Sequence, residues 1–321
     1  MTALSETTLV DPMPDDDADL DDWLRRVRVR LDTLLGPWPE PVDLDIEVTE
    51  SVDTPGYRRD RIVYDTESDM SVPAYLLTPH SRSRPGPAIL AIHGHGPGKS
   101  QAVGLEHTEM PNADYAHRMA EAGYVVLAPD LRCFGERLDY NPEDHYACDT
   151  NLVHAYMSGR SPLTENLFDL VRSLDVLCTN DLVDPDRLAA IGISYGGTCT
   201  LFLAAIDQRV SAAVVSGYFS SWAESHKMPW NMCGSQVLPG MLGQIEHVDL
   251  ASLVAPRPLL IESGSDDMLF PWAVAAEGVK RLERVYEHLQ NPGAVQHDVF
   301  DGDHQWHGVD AYPFLERALR S

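Results

Sequence analysis

Long hydrophobic runs are missing from this 321-residue chain: no stretch approaches the roughly 20 apolar residues that a bilayer-spanning helix needs. The first residues are acidic where a secretory leader would be basic and then apolar, so the expected compartment is the cytoplasm. Cysteines are few. Cys133, Cys148, Cys178, Cys199 and Cys233 are odd in number, widely spaced and without a C-x-x-C pair, which argues for thiols and against a disulfide framework. Positive charge is in short supply as well. Lys and Arg total 24 against 50 Asp and Glu, a formal net charge of -26 that repels phosphate backbones and anionic membrane surfaces. Nucleic acid and membrane are therefore not expected partners. The acidity says little about a small-molecule substrate, because a local pocket can be neutral inside a negative field.

What is present fits a packed, enzyme-sized body, with 44% hydrophobic and 23% charged residues. Residues 1–18 are polar and acidic without an apolar period and read as a flexible tail. Leu20, Trp23, Leu24, Val27, Leu31 and Leu34 then recur at helical spacing, and Gly36-Pro37 ends that helix. Residues 46–52, 57–65 and 72–77 read as strands, the last two joined by a turn at Glu67-Ser68-Asp69. From Pro87 onward, short apolar runs alternate with helical patterns, which predicts an α/β fold with a mostly parallel sheet and antiparallel N-terminal strands. The buried strands are AILAIHG, YVVLAPDL, RLAAIGIS, SAAVVSGY, RPLLIESG and QHDVFDG, with helices at 115–122, 163–178, 195–205 and 272–289. No repeat or low-complexity linker divides 19–321, so a single domain is expected. The irregular stretches at about 132–162 and 219–249 read as insertions bordering an active site.

Gly192-Ile193-Ser194-Tyr195-Gly196 is a G-x-S-x-G turn between a buried strand and a helix, the context in which such a serine becomes an exposed nucleophile. A glycine-rich nucleotide-binding turn is the alternative, but the G-x-G-x-x-G spacing and an acidic ribose partner are missing. A serine nucleophile needs an imidazole base held by a carboxylate, in the order Ser, acid, His. The loop after RPLLIESG carries Asp266 and Asp267; either can serve as the acid, with Asp267 preferred and Asp266 assigned to a turn or cap. His304 follows the last strand and is the candidate base, ahead of His297 within that strand and His307 beside Trp306. The oxyanion donors are expected to be the N–H groups of Tyr195 and His95, Gly94 being next after His95 in the His93-Gly94-His95-Gly96 turn. A competing reading makes His93 and His95 an H-x-H metal pair, but no H-x-H-x-D-H run follows, and neither metal nor cofactor is expected.

The segments PAILAIHGHGPGKS, APDLRCFGER, RLAAIGISYGG and the stretch from MCGSQVLPG through VAPRPLLIESGSDDMLFP to GDH together resemble the α/β-hydrolase superfamily. The resemblance is closest to its acetyl-xylan-esterase-like and dienelactone-hydrolase-like branch and covers residues 57–320. It implies a Ser194, Asp267, His304 triad, an acyl-enzyme on Ser194 and small-molecule ester substrates, with short acetyl-type acyl groups foremost. Cys133 departs from the pattern, since many relatives carry glycine at that point of the loop; it reads as a packed thiol, with Arg132 and Glu136 paired structurally. In the second insertion Trp222, Met228, Trp230, Met232 and Met241 either pack a cap or line an apolar pocket, and Trp222, Trp230 and Met232 are the pocket candidates. Tyr146, His154 and Tyr156 of the first insertion could add polar contacts. The same triad can also cleave amides or C–C bonds or transfer acyl groups, and a non-catalytic binding protein of the same fold would show a damaged triad. Self-association as a homo-oligomer stays open.

Overall fold

The computed structural model describes residues 9–138, 147–225 and 232–320. A nine-stranded sheet runs through it, built from β1 (Glu47–Asp53), β2 (Tyr57–Glu67), β3 (Met70–Pro79), β4 (Gly86–Ile92), β5 (Val125–Pro129), β6 (Val183–Ile193), β7 (Val210–Ser216), β8 (Leu259–Gly264) and β9 (Val295–Phe300). The strand order is β1-β2-β3-β5-β4-β6-β7-β8-β9. β1, β2 and β3 pair antiparallel, and β3 is antiparallel to β5. From β5 to β9 every pairing is parallel. This is the expected mostly parallel α/β sheet with an antiparallel lead-in, and all six predicted buried runs form strands in it.

The two-residue period of a strand sends alternate side chains to opposite faces. In β4, Ala88, Leu90 and Ile92 join one apolar cluster, while Ile89 and Ala91 join the other. Among the helices that fill the first side are Leu20–Leu35, Pro162–Cys178, Tyr195–Ile206, His247–Ser252 and Trp272–His288. Tyr115–Glu121 and Ala311–Ala318 fill the second. In the helix Leu20–Leu35, Leu20, Trp23, Val27, Leu31 and Leu35 are buried, so a single stripe at three- and four-residue spacing joins the apolar cluster on this side. Gly36, at φ 69°, stops it. No helix among the described residues is long and apolar enough to cross a membrane.

The acidic segment expected to be a flexible tail is packed against the body over its described part. Met13 is buried, Asp11 bonds the guanidinium groups of Arg26 and Arg30, and Asp17 pairs with Arg284. Opposite charge on two helices holds it there, which an apolar-periodicity reading does not register. Arg132 and Glu136 also depart from expectation, because they do not pair with each other. Arg132 bonds Glu67, Glu165 and Asp169, whereas Glu136 bonds Lys99 and Arg61. With Arg137 on Asp169 and Arg160 on Glu67 and Glu165, three arginines and three carboxylates form one charge-balanced network that is mostly buried. Burial alone would raise the Asp169 carboxyl, but Arg137 and Arg132 outweigh it and hold its pKa below the usual value.

Because Trp23 is wholly enclosed, Trp23→Ala should destabilise the fold by about 3–5 kcal/mol. Urea unfolding with an unchanged slope and a lower midpoint would show it.

Candidate active site

β6 ends at Ile193, and Ser194 turns the chain directly into the helix Tyr195–Ile206. Its backbone stands at φ 57°, ψ -119°, a conformation that costs a non-glycine residue energy and persists only where the surroundings impose it. Two bonds impose it: Ser194 N–H donates to Ser216 O on β7 at 2.9 Å, and Thr198 N–H donates to Ser194 O at 2.9 Å. The glycines either side supply clearance. A Cβ on Gly196 would sit 2.0 Å from Ile92 O, and one on Gly192 would sit 2.5 Å from Gly196 O. Ser194 itself is only partly covered.

The turn after β4 lies against this serine. A Cβ on Gly94 would come within 2.8 Å of Ile193 O and 3.3 Å of Ser194 Cβ. His93 is buried and uses both ring nitrogens inside the protein: Nδ1 donates to Gly94 O at 2.7 Å and Nε2 accepts from Leu131 N–H at 3.0 Å. Burial lowers its pKa and favours this neutral tautomer. His93 is therefore a brace for the turn, which removes the H-x-H metal pair. His95 is exposed, and its ring lies 5.3 Å from that of Tyr195.

Asp267 and His304 meet. The His304 Nδ1 to Asp267 Oδ2 distance is 2.8 Å, with the carboxylate side chain 1% exposed and the imidazole 17%. The other carboxylate oxygen, Oδ1, accepts from the N–H groups of Leu269 and Phe270, so the acid is fixed in orientation. Asp266 is exposed and donates its N–H to Gly302 O, leaving the imidazole to its neighbour. Phe270 stacks on the His304 ring at 5.8 Å. On its far side the ring rests on Gly217, at φ 54°, where a Cβ would stand 3.0 Å from His304 Cε1. Gly217 follows Ser216, the residue that accepts from Ser194 N–H, so the imidazole and the serine share one end of the sheet.

The pocket candidates fare differently. Trp222 is enclosed, its indole N–H donating to Ile245 O and its ring 3.9 Å from that of His247, so it anchors the insertion in the core. Met232 is partly buried and packs on the same core, and Trp230 lies outside the described residues. A small recess against the turn after β4 is lined by Gly94, His95, Gln101, Met110, Tyr115 and Ile193, and its volume of about 10 Å³ is about the room of one water molecule.

A family profile described as Abhydrolase family matches residues 13–317, nearly the whole chain. The chain belongs to the Abhydrolase family. A curated relative, "Putative hydrolase YtaP" of Bacillus subtilis (strain 168), is 26% identical over 267 residues, covering 80% of this chain and 84% of its own. Among solved structures, a "putative acetyl xylan esterase" from Bacteroides fragilis NCTC 9343 superposes with a TM-score of 0.84 at 17% identity, covering 99% of this chain and 93% of that one. A glucuronoyl esterase from Solibacter usitatus reaches a TM-score of 0.68 at 14% identity, over 99% and 96% of the two chains. An acetyl xylan esterase from Paenibacillus sp. R4 reaches 0.62 at 19% identity, over 98% of each.

Within this Abhydrolase frame, two further features stand out. Cys133 sits at φ 70°, a left-handed conformation that glycine adopts without strain. Glu262, near the end of β8, is buried and holds the His304 loop: it accepts from Gly308 N–H at 2.9 Å, while its own carbonyl accepts from Gly217 N–H. Desolvation raises its pKa from 4.5 to about 7. A lone Glu in an apolar strand was the only signal in the sequence, and nothing there pointed to the loop.

Since the folded protein keeps this carboxyl neutral, the penalty for folding begins above the unfolded pKa of 4.5 and is complete above about 7. Glu262→Gln, which keeps the acceptor for Gly308, should therefore gain about 2 kcal/mol more stability at about pH 8 than at about pH 5, measured by denaturant unfolding at both. Gly196→Ala, which drives a methyl group onto the Ile92 carbonyl, should give little folded protein at any pH by the same measurement.

Proposed function

We propose that the chain is a serine-dependent carboxylic-ester hydrolase. The observation that carries the reading is the fixed Asp267–His304 pair, at 2.8 Å, on the same sheet end as a serine held at positive φ. His304 Nε2 removes the Ser194 hydroxyl proton as Oγ attacks the ester carbonyl. Asp267 keeps Nδ1 protonated and stabilises the imidazolium that forms. The N–H groups of Tyr195 and His95 receive the negative oxygen of the tetrahedral intermediate, one from the helix start and one from the turn pressed on Ser194. Collapse expels the alcohol, which takes its proton from His304 and leaves an acyl group on Ser194. Water then attacks, gives its proton to His304, and releases the acid and the free serine.

Acetyl esters are the substrate class proposed, on the precedent of the acetyl xylan esterases among the structural neighbours.

A fluorophosphonate probe should label the protein once, and peptide mapping should find the tag on Ser194; a tag on any other residue would overturn the reading. Ser194→Ala should lose both labelling and hydrolysis of aryl acetate, and Asp267→Asn should lower kcat by about 10³–10⁴-fold. Longer acyl esters should be poor substrates, and a panel with amides and diketones included should show esters turned over first.

A further inference from the structure

Beside the serine turn lies a second group of reactive side chains, drawn from three separate parts of the chain. His95 comes from the turn after β4, Cys148 from the helix Ala147–Met157 of the first insertion, and Cys233 from the second insertion, just before a short 3-10 turn at Gly234–Gln236. One donor atom from each lies within 4.8 Å of the other two, and the Cys148 Sγ to His95 Nε2 distance is 4.0 Å. Both thiols are buried, whereas His95 is exposed. We propose that His95, Cys148 and Cys233 form a binding site for one thiophilic d¹⁰ cation of the Zn²⁺ class, at the edge of the active site.

The donor chemistry supports this. Two sulfurs and one imidazole nitrogen suit Zn²⁺ or Cu⁺, and a set without carboxylates does not suit Mg²⁺ or Ca²⁺. With Zn–S near 2.3 Å and Zn–N near 2.0–2.1 Å, tetrahedral ligands stand roughly 3.5–3.8 Å apart, so shifts of about an ångström or less bring the three atoms onto one ion. Three protein ligands leave a fourth position, which the exposed side at His95 opens to water.

The surroundings hold the donors where they are. Cys233 N–H donates to Gln236 Oε1 at 3.1 Å, and Gln236 Nε2 donates to Thr198 Oγ1 on the nucleophile's helix at 2.9 Å. Ser235 Oγ donates to Cys148 O at 3.1 Å, joining the two insertions. The His95 ring is flanked by Phe134 at 5.5 Å and Tyr195 at 5.3 Å. Such outer contacts are what orient ligands in metal sites. Binding displaces two thiol protons to solvent and ties both insertions to the turn that carries the His95 N–H. The site is read independently of turnover, so it stands or falls apart from the ester hydrolase.

The test uses the full chain, reduced with a phosphine and stripped with a chelator, then titrated with Co²⁺ as a spectroscopic substitute. One equivalent should bind, with sulfur-to-cobalt charge transfer and the intense visible bands of a tetrahedral site, and Zn²⁺ should displace it. Cys148→Ser, Cys233→Ser and His95→Gln should each weaken Zn²⁺ binding by at least about 100-fold, more than loss of a supporting contact causes. Cys178→Ser, which changes an exposed cysteine, and Ser194→Ala should bind as the parent does. His95→Gln alters an exposed side chain, so its melting temperature without metal should match the parent and separate ligand loss from misfolding. Absence of the charge-transfer bands, equal affinity in the three variants, or a Cys148–Cys233 disulfide in the protein isolated without reductant would each overturn the proposal.

Discussion

The structure turns on a steric constraint where the paired strands β4 and β6 end side by side. Backbone runs against backbone so closely there that a Cβ on Gly196 would stand 2.0 Å from Ile92 O, and one on Gly94 would stand 2.8 Å from Ile193 O. Those two approaches place the turn after β4 on the serine and leave Ser194 no relaxed conformation to fall into. Its φ of 57° is stabilised by the sheet beside it, through Ser216 O on β7, and by the first turn of the helix that follows. Strain of this kind, of order 1–3 kcal/mol, survives only where its surroundings over-determine it. The core clusters on both faces of the sheet do so.

The Asp267–His304 pair depends on the same sheet end by a different route. β8 delivers Asp267 and β9 delivers His304, so the parallel pairing of those neighbours sets their separation before any side chain is chosen. Fine adjustment comes from the Leu269 and Phe270 N–H groups on Asp267, from Phe270 against the imidazole, and from the space Gly217 leaves. Glu262 adds a tether from the core to the loop beyond His304.

Much of this was legible in the sequence, and the reasons are physical. Ser194, Asp267 and His304 each stand where a run of β-branched and apolar residues stops, and strand ends in a parallel sheet collect at one edge. The choice between Asp266 and Asp267 was not legible, because adjacent residues on a loop differ only in which way the turn aims them. Trp222 misled for a related reason: an aromatic residue in an insertion lines a cavity or fills a core according to what packs on it, and here Ile245 and His247 do. The docking of residues 9–18 and the partners of Arg132 rest on charges brought together across the chain, such as Asp11 with Arg30 and Arg132 with Glu67. Periodicity carries no trace of such contacts.

The buried arginine and carboxylate network has a consequence for the first insertion. Arg160, at the close of the first insertion, bonds Glu67 on β2 and Glu165 in the next helix, while Arg132 and Arg137, at its opening, both bond Asp169. Both ends of that insertion are thus anchored to one charge-balanced patch. Between these anchors Cys148 and Ala155 are buried, so the insertion also packs onto the body through its helix. Replacing one arginine would leave a buried carboxylate unmatched, a change typically worth 3–5 kcal/mol. The network thus fixes where the insertion leaves and rejoins the body.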